Sequence, residues 1–396
     1  MEHDVTTALM DVYRRCDLAF ERGEGPYLFT EDGRRFLDFA SGIAVNSLGH
    51  SHPRLVAALQ AQAAKLWHCS NIFRIPGQDR VASQLVAHSF ADRVFFCNSG
   101  AEACEGAIKL ARKYQSFNGA PERYRIIGAE LAFHGRTLAT MAAGGQAKTL
   151  EGFGPPVEGF DHVAFGNLNE ARAAVTPETA AIMVEPVQGE GGINVARKEY
   201  LQGLRAICDE FGLLLIFDEV QTGMGRTGRL FAYEWFDVAP DVMTLAKGLG
   251  GGFPVGAVLA TDRAAAAMTP GSHGSTFGGN PLAMAAAEAV LEVMTEAGFL
   301  DGVRHTAAYL ADRLEAFPGR FPGIFKARRG LGMLQGLVCL PSNREMVDEI
   351  RAEGLLTAAA GADVVRFAPP LIVTEAHIDE AMDMLEQACR AHEAKG

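Results

Sequence analysis

No apolar run in this chain approaches the ~18 residues that a membrane-spanning helix needs. The first residues, Met-Glu-His-Asp-Val-Thr-Thr, are acidic where a secretory leader is basic and then apolar, so a cytoplasmic protein is expected, with no membrane partner. Cysteine is sparse: seven residues (16, 69, 97, 104, 208, 339, 389), scattered and never in Cys-x-x-Cys spacing. That excludes a disulfide framework and a zinc site of the usual spacing, and no metal is expected. Positive charge is also short. With 36 Lys and Arg against 48 Asp and Glu, the net charge is −12, which argues against a nucleic-acid partner. Neither G-x-x-x-x-G-K-[ST] nor H-E-x-x-H occurs, and there is no internal repeat, low-complexity tract or long linker. His50-Ser51-His52 reads as a turn before a helix over 53–65, since no acidic or cysteine partner lies nearby in sequence.

What is present is the texture of an α/β protein. Of 396 residues 48% are hydrophobic and 21% charged, enough for a large core and a second, smaller one. Apolar runs at 93–97, 125–129, 180–185, 213–218, 242–245 and 256–260 read as strands. Helical patterns at 101–116, 198–211 and 281–297 lie between them or follow them, in the βαβ manner. Residues 5–20 read as a helix, followed by short strands near 27–29 and 35–39. From about residue 298 a long helix precedes strands near 332–340 and 364–368 and a last helix over 377–394. The expected organisation is an N-terminal segment (1–50) packing with a small α+β domain (298–396), around a large domain (51–297) with a mostly parallel sheet.

Parallel sheets bind ligands beyond the carboxyl ends of their strands, and several motifs fall there. Asp218 closes the run Leu213-Leu214-Leu215-Ile216-Phe217, and Lys247 lies between an apolar run and Gly248-Leu249-Gly250-Gly251-Gly252. A lysine that can form a Schiff base and an acid that can partner a pyridinium nitrogen are the needs of a pyridoxal phosphate enzyme. Ser99 caps a helix whose exposed amides, with Gly100 and Ala101 behind them, suit a phosphate. Phe133 can stack on a ring and Arg136 can pair with a carboxylate. Glu185-Pro186-Val187-Gln188-Gly189-Glu190 places acids and glycine just beyond another strand. Gly223-Met224-Gly225-Arg226-Thr227-Gly228 formally matches the dinucleotide fingerprint. The residues after it make a poor crossover helix, which leaves a nicotinamide oxidoreductase as the distant alternative.

In order and spacing, Ser-Gly-Ala-Glu-Ala, Phe-His-Gly-Arg-Thr, Glu-Pro-Val-Gln-Gly-Glu-Gly-Gly, Phe-Asp-Glu-Val-Gln-Thr-Gly-Met-Gly-Arg-Thr-Gly, Ala-Lys-Gly-Leu-Gly-Gly-Gly-Phe-Pro and His-Gly-Ser-Thr-Phe-Gly-Gly-Asn-Pro resemble the class III (ω-amino) aminotransferases of the fold-type I pyridoxal phosphate enzymes. The resemblance covers nearly the whole chain. It implies Lys247 as covalent anchor and proton carrier, and Asp218 on the ring nitrogen. It implies Gly100 and Ala101 on the phosphate, Gln221 on the phenolic oxygen, Val220 and Phe133 about the ring, and Glu219 within the cofactor contacts. It further implies a homodimer, with Thr276 and Ser275 reaching the partner's phosphate and substrate. Arg136 would take the donor's carboxylate and Arg366 the acceptor's, with Glu190 neutralising Arg366. Residues 38–53 and 66–71 resemble the branch that transfers the amine of N2-acetylornithine to 2-oxoglutarate. Ornithine-using relatives carry a tyrosine where Ile43 stands. Succinylornithine, N-succinyl-diaminopimelate and 4-aminobutyrate stay open as donors.

Overall fold

The computed structural model describes residues 8–395. A seven-stranded sheet runs in the spatial order Arg93–Cys97, Gly256–Ala260, Val242–Leu245, Leu214–Asp218, Thr179–Val184, Arg125–Ala129, Phe160–Val163. Gly256–Ala260 pairs antiparallel with both neighbours while the remaining pairings are parallel. The central strands are apolar without alternation because helices cover both faces. Alternate residues show it: Met183, Leu214 and Ile216 pack with Ala103, Ala107, Ile108 and Ala111 of the helix Gly100–Phe117. Ile182, Leu215 and Phe217 pack instead with Leu201, Leu204 and Ile207 of Lys198–Phe211.

Both chain ends meet beside this sheet. Phe20–Glu24, Tyr27–Thr30 and Arg35–Asp38 form an antiparallel ribbon, and Leu355–Leu356 joins it in parallel with Arg35–Asp38. A second antiparallel sheet orders Phe325–Leu331, Leu334–Cys339, Val364–Phe367 and Ala358–Ala360, with the helices Phe299–Glu315, Asn343–Ala352 and Glu375–Glu393. Among the described residues no helix is long and apolar enough to cross a membrane.

The helix expected over 5–20 is corrected. Residues 5–7 lie outside the described residues, 8–19 form no helix, and Phe20 begins a strand. Leu9, Met10, Val12 and Tyr13 are all more than 60% exposed, and an isolated helix of this length is marginal without a packed face. The helix at 281–297 stops earlier, at Met294, and the edge strand Phe160–Val163 was not foreseen.

Candidate active site

Loops leaving the carboxyl edge of the sheet enclose a cavity of about 410 Å³. Its wall brings together Gly100, Ala101, Phe133, Arg136, Asp218, Val220, Gln221 and Lys247, all singled out from the sequence. Lys247 follows Val242–Leu245 and holds a left-handed backbone, φ 44°, a strain of about 1–3 kcal/mol for a non-glycine residue. Gly248 must follow it, since a Cβ there would lie 2.6 Å from Ser47 Oγ. Burial, which disfavours charge, pushes the Lys247 amine down to about 8.

Asp218 is gripped on both oxygens. Oδ1 accepts from Val220 N (3.0 Å) and Thr244 Oγ1 (2.9 Å). Oδ2 lies 2.7 Å from His134 Nδ1 and accepts from Cys104 Sγ at 3.3 Å. Burial alone would raise its pKa, but the contact with His134, followed by the Val220 and Thr244 bonds, outweighs it. The carboxyl is therefore held below its usual range, an anion in a dry site. Glu185 goes the other way: burial, and then Asp218, raise its carboxyl well above the usual range, although it accepts from Phe133 N at 3.1 Å.

The helix Gly100–Phe117 starts at the cavity. Ser99 accepts from Glu102 N at 3.2 Å, which leaves the Gly100 and Ala101 N–H groups for an anion. A Cβ on Gly100 would stand 2.7 Å from Val220 Cγ1, so only glycine lets Val220 close over the helix start. Phe133 lines the same wall, and the Arg136 guanidinium carbon lies 5.3 Å from its ring centre. Deeper in, Arg366 pairs with Glu190, and Gln221 bonds both: Arg366 Nη1 donates to Gln221 Oε1 at 3.0 Å, and Gln221 Nε2 to Glu190 Oε1 at 3.2 Å.

Two placements differ from expectation. Glu219 does not line the cavity; its carboxylate accepts from Ala232 N (2.6 Å) and Tyr233 N (2.8 Å). Neighbours in a strand point to opposite faces, so only one of Asp218 and Glu219 can face the site. Burial raises Glu219 to about 7. Ser275 lies at the rim of its own chain's site, where its Oγ accepts from Asn98 Nδ2 at 3.2 Å, while Thr276 is exposed. The loop 223–228 is a series of turns leading to the short 3-10 turn Ala232–Trp235, not to a crossover helix, which removes the dinucleotide reading. His134, Cys104, Thr244 and Glu185 were missed as site residues. His134 had a signal, standing next to Phe133, as did Thr244, a polar residue inside an apolar strand.

The sequence pattern of the family Aminotransferase class-III matches residues 10–389. This chain belongs to the class III aminotransferases. It is 57% identical over 387 residues to the acetylornithine aminotransferase of Brucella melitensis, covering 97% of this chain and 96% of that one. Among solved structures it resembles N-acetylornithine aminotransferase from Stenotrophomonas maltophilia (39% identity, TM-score 0.85, 97% and 98% of the two chains). Ornithine aminotransferase from Toxoplasma gondii superposes with TM-score 0.93 at 32% identity, over 98% and 94%. The fold is that of the fold-type I transaminases, and the cofactor of the class is pyridoxal 5′-phosphate. The site fits this group: a buried amine of lowered pKa, an ionised aspartate, and a helix start that glycine keeps open.

Proposed function

We propose that this protein transfers the terminal amine of N2-acetyl-L-ornithine to 2-oxoglutarate, giving N-acetyl-L-glutamate 5-semialdehyde and L-glutamate, in arginine synthesis. The observation that carries this reading is the Arg366–Glu190 pair, which Gln221 joins to the cavity wall. An arginine covered by an acid suits a donor whose carboxylate lies far from its reacting amine. The acetyl group is supported by acetylornithine aminotransferases 55–57% identical over nearly the whole chain.

Bound in the cavity, pyridoxal phosphate supplies a ring that withdraws electrons from the amine-bearing carbon. The chain's residues do the rest. Lys247 anchors the cofactor and, as a free amine, takes the proton from the substrate carbon through Nζ; its lowered pKa suits that work near neutral pH. Asp218 holds the proton on the ring nitrogen. Gly100 and Ala101 hold the phosphate with their amides, Gln221 faces the phenolic oxygen, and Phe133 and Val220 flank the ring. Arg136 takes the donor's carboxylate and Arg366 the acceptor's.

The working unit is a homodimer in which Thr276 serves the partner's phosphate and Ser275 the partner's substrate. In support, Leu66, Trp67, Ile72, Phe73 and Phe277 are exposed around this loop, and Asn71 ties it down by donating to Ser275 O and Gly278 O, both at 2.9 Å. Such an apolar patch needs a cover. We also propose the division into 1–50 and 298–396 against 51–297, supported by the sheet that Leu355–Leu356 shares with Arg35–Asp38, and a cytoplasmic location. A panel of donors assayed with 2-oxoglutarate tests the substrate: acetylornithine should give the highest kcat/KM. A higher value for succinylornithine, N-succinyl-diaminopimelate or 4-aminobutyrate would reassign it.

A further inference from the structure

Arg226 belongs to the glycine-rich loop 223–228 and takes no part in the chemistry described above. It is 1% exposed, one of the two largest wholly buried side chains together with Arg366. No acid among the described residues pairs with it, and its Nε and Nη2 are buried without an acceptor. A buried cation of this kind is costly. Burial, and after it repulsion from Arg366, lower its pKa to about 9, so at neutral pH it keeps its charge.

Its anchors are informative. Nη1 donates to Met333 O at 3.1 Å and to Pro369 O, while its backbone O accepts from Met333 N at 2.9 Å. Met333 precedes Leu334–Cys339, which pairs with Val364–Phe367, the strand that carries Arg366 opposite Gly336. Pro369 is just beyond that strand. Arg226 thus fastens the loop after Asp218 to both strands that set Arg366.

We infer that Arg226 is a positioning residue for the acceptor's carboxylate: it fixes the strand of Arg366 and, as a second buried cation beside it, favours an incoming anion there. Glu190 pairs with Arg366, and no carboxylate among the described residues pairs with Arg226. An arriving carboxylate supplies the missing charge. A donor whose own carboxylate sits at Arg136 gains nothing from Arg226.

The inference rests on Arg366 being the acceptor's residue, and the test separates the two. Holoenzyme is titrated calorimetrically with glutarate, a dicarboxylate that cannot react, and the donor half-reaction with acetylornithine is followed in single turnover. Arg226→Met should weaken glutarate roughly tenfold, the order expected for one charge acting on another through partly shielded protein, with the donor half-reaction within about threefold. Where Arg226→Met does not fold, Arg226→Lys, whose shorter side chain leaves its ammonium short of the place where Nη1 meets Met333 O and Pro369 O, is held to the same ratio and should shift it in the same direction. Equal losses in both measurements, or no change in either, would overturn the inference. Arg366→Met is the control: undiminished glutarate binding there would overturn the reading of Arg366 and this inference with it.

Discussion

Arg366 meets Glu190 through a single nitrogen. Nη1 carries every hydrogen bond of the arginine side chain, to Glu190 Oε1, to Gln221 Oε1 at 3.0 Å and to Gly189 O at 3.3 Å. Nε and Nη2, the other edge of the fork, make no hydrogen bond among the described residues. A carboxylate binds guanidinium best in a two-point fork, so one can dock on the open edge while Glu190 still neutralises Nη1. Burial raises the pKa of Glu190, but Arg366 and then Lys247 outweigh it, and the acid stays ionised.

Glu190→Gln removes that neutralising charge and leaves Arg366 to grip any α-carboxylate. Reactivity should shift towards α-amino donors such as glutamate and away from acetylornithine. The expected change in the ratio is on the order of tenfold or more, as for removal of one partner of a buried pair. Single-turnover rates with each donor decide it, and an unchanged ratio would rule out Glu190 as the residue that selects between carboxylates.

Much of this was legible in the sequence where local pattern and fold agree. The runs at 125–129, 242–245 and 256–260 are strands with those bounds because both faces are buried, and 93–97 keeps its bounds at the sheet edge with Arg93 exposed. Lys247 and Asp218 were legible because each directly follows or ends such a strand. The 8–19 segment was not, since Met10, Val12 and Tyr13 stay exposed and give a helix no buried face. Phe160–Val163 was hidden by Asp161 and His162, polar residues tolerated at an edge. The Gln221 contact with Arg366 spans 145 positions, a separation that no local pattern encodes. Glu219 misled because a motif names residues without their faces.

The amine of Lys247 sets a pH dependence. Its folded value of about 8 lies below the ordinary 10.5, so the neutral, bond-forming amine grows as pH rises through about 8. Uptake of pyridoxal phosphate by apoprotein should accelerate with pH and level off above that midpoint. Between about 8 and 10.5 the unfolded chain holds a proton that the folded chain has lost, so this group makes apoprotein stability rise with pH across that window. A midpoint near 10 for cofactor uptake would mean an exposed, ordinary lysine. Lys247→Ala should lose turnover by several orders of magnitude.

Asp218 and Glu185 are two buried acids of opposite character, and their amides should behave differently. Asp218→Asn removes a charge that works in a dry site, worth on the order of a few kcal/mol in the transition state, and kcat should fall accordingly. Burial pushes the Glu185 carboxyl well above its usual range, towards the neutral form that glutamine mimics, and Glu185→Gln keeps an acceptor for Phe133 N. Its kcat should stay within about threefold. A collapse of activity in Glu185→Gln, with a normal melting temperature, would show that the Glu185 proton takes part in turnover.

The dimer claim is testable by mixing. Thr276 is exposed, on a loop whose Ser275 is already bonded to Asn98 of its own chain, so the threonine is free to reach another subunit. If it completes the partner's site, Thr276→Ala and Lys247→Ala damage different subunits' contributions to one site. In a heterodimer, the chain with intact Lys247 receives an intact Thr276 from its partner, and the other site carries both defects. Equal mixing with free exchange makes half the dimers mixed, each with one good site, so about a quarter of wild-type activity should return. If Thr276 served its own chain, every site in the mixed dimer would keep one defect. Activity would then stay at the mean of the two parents, and the cross-subunit role of this loop would be lost.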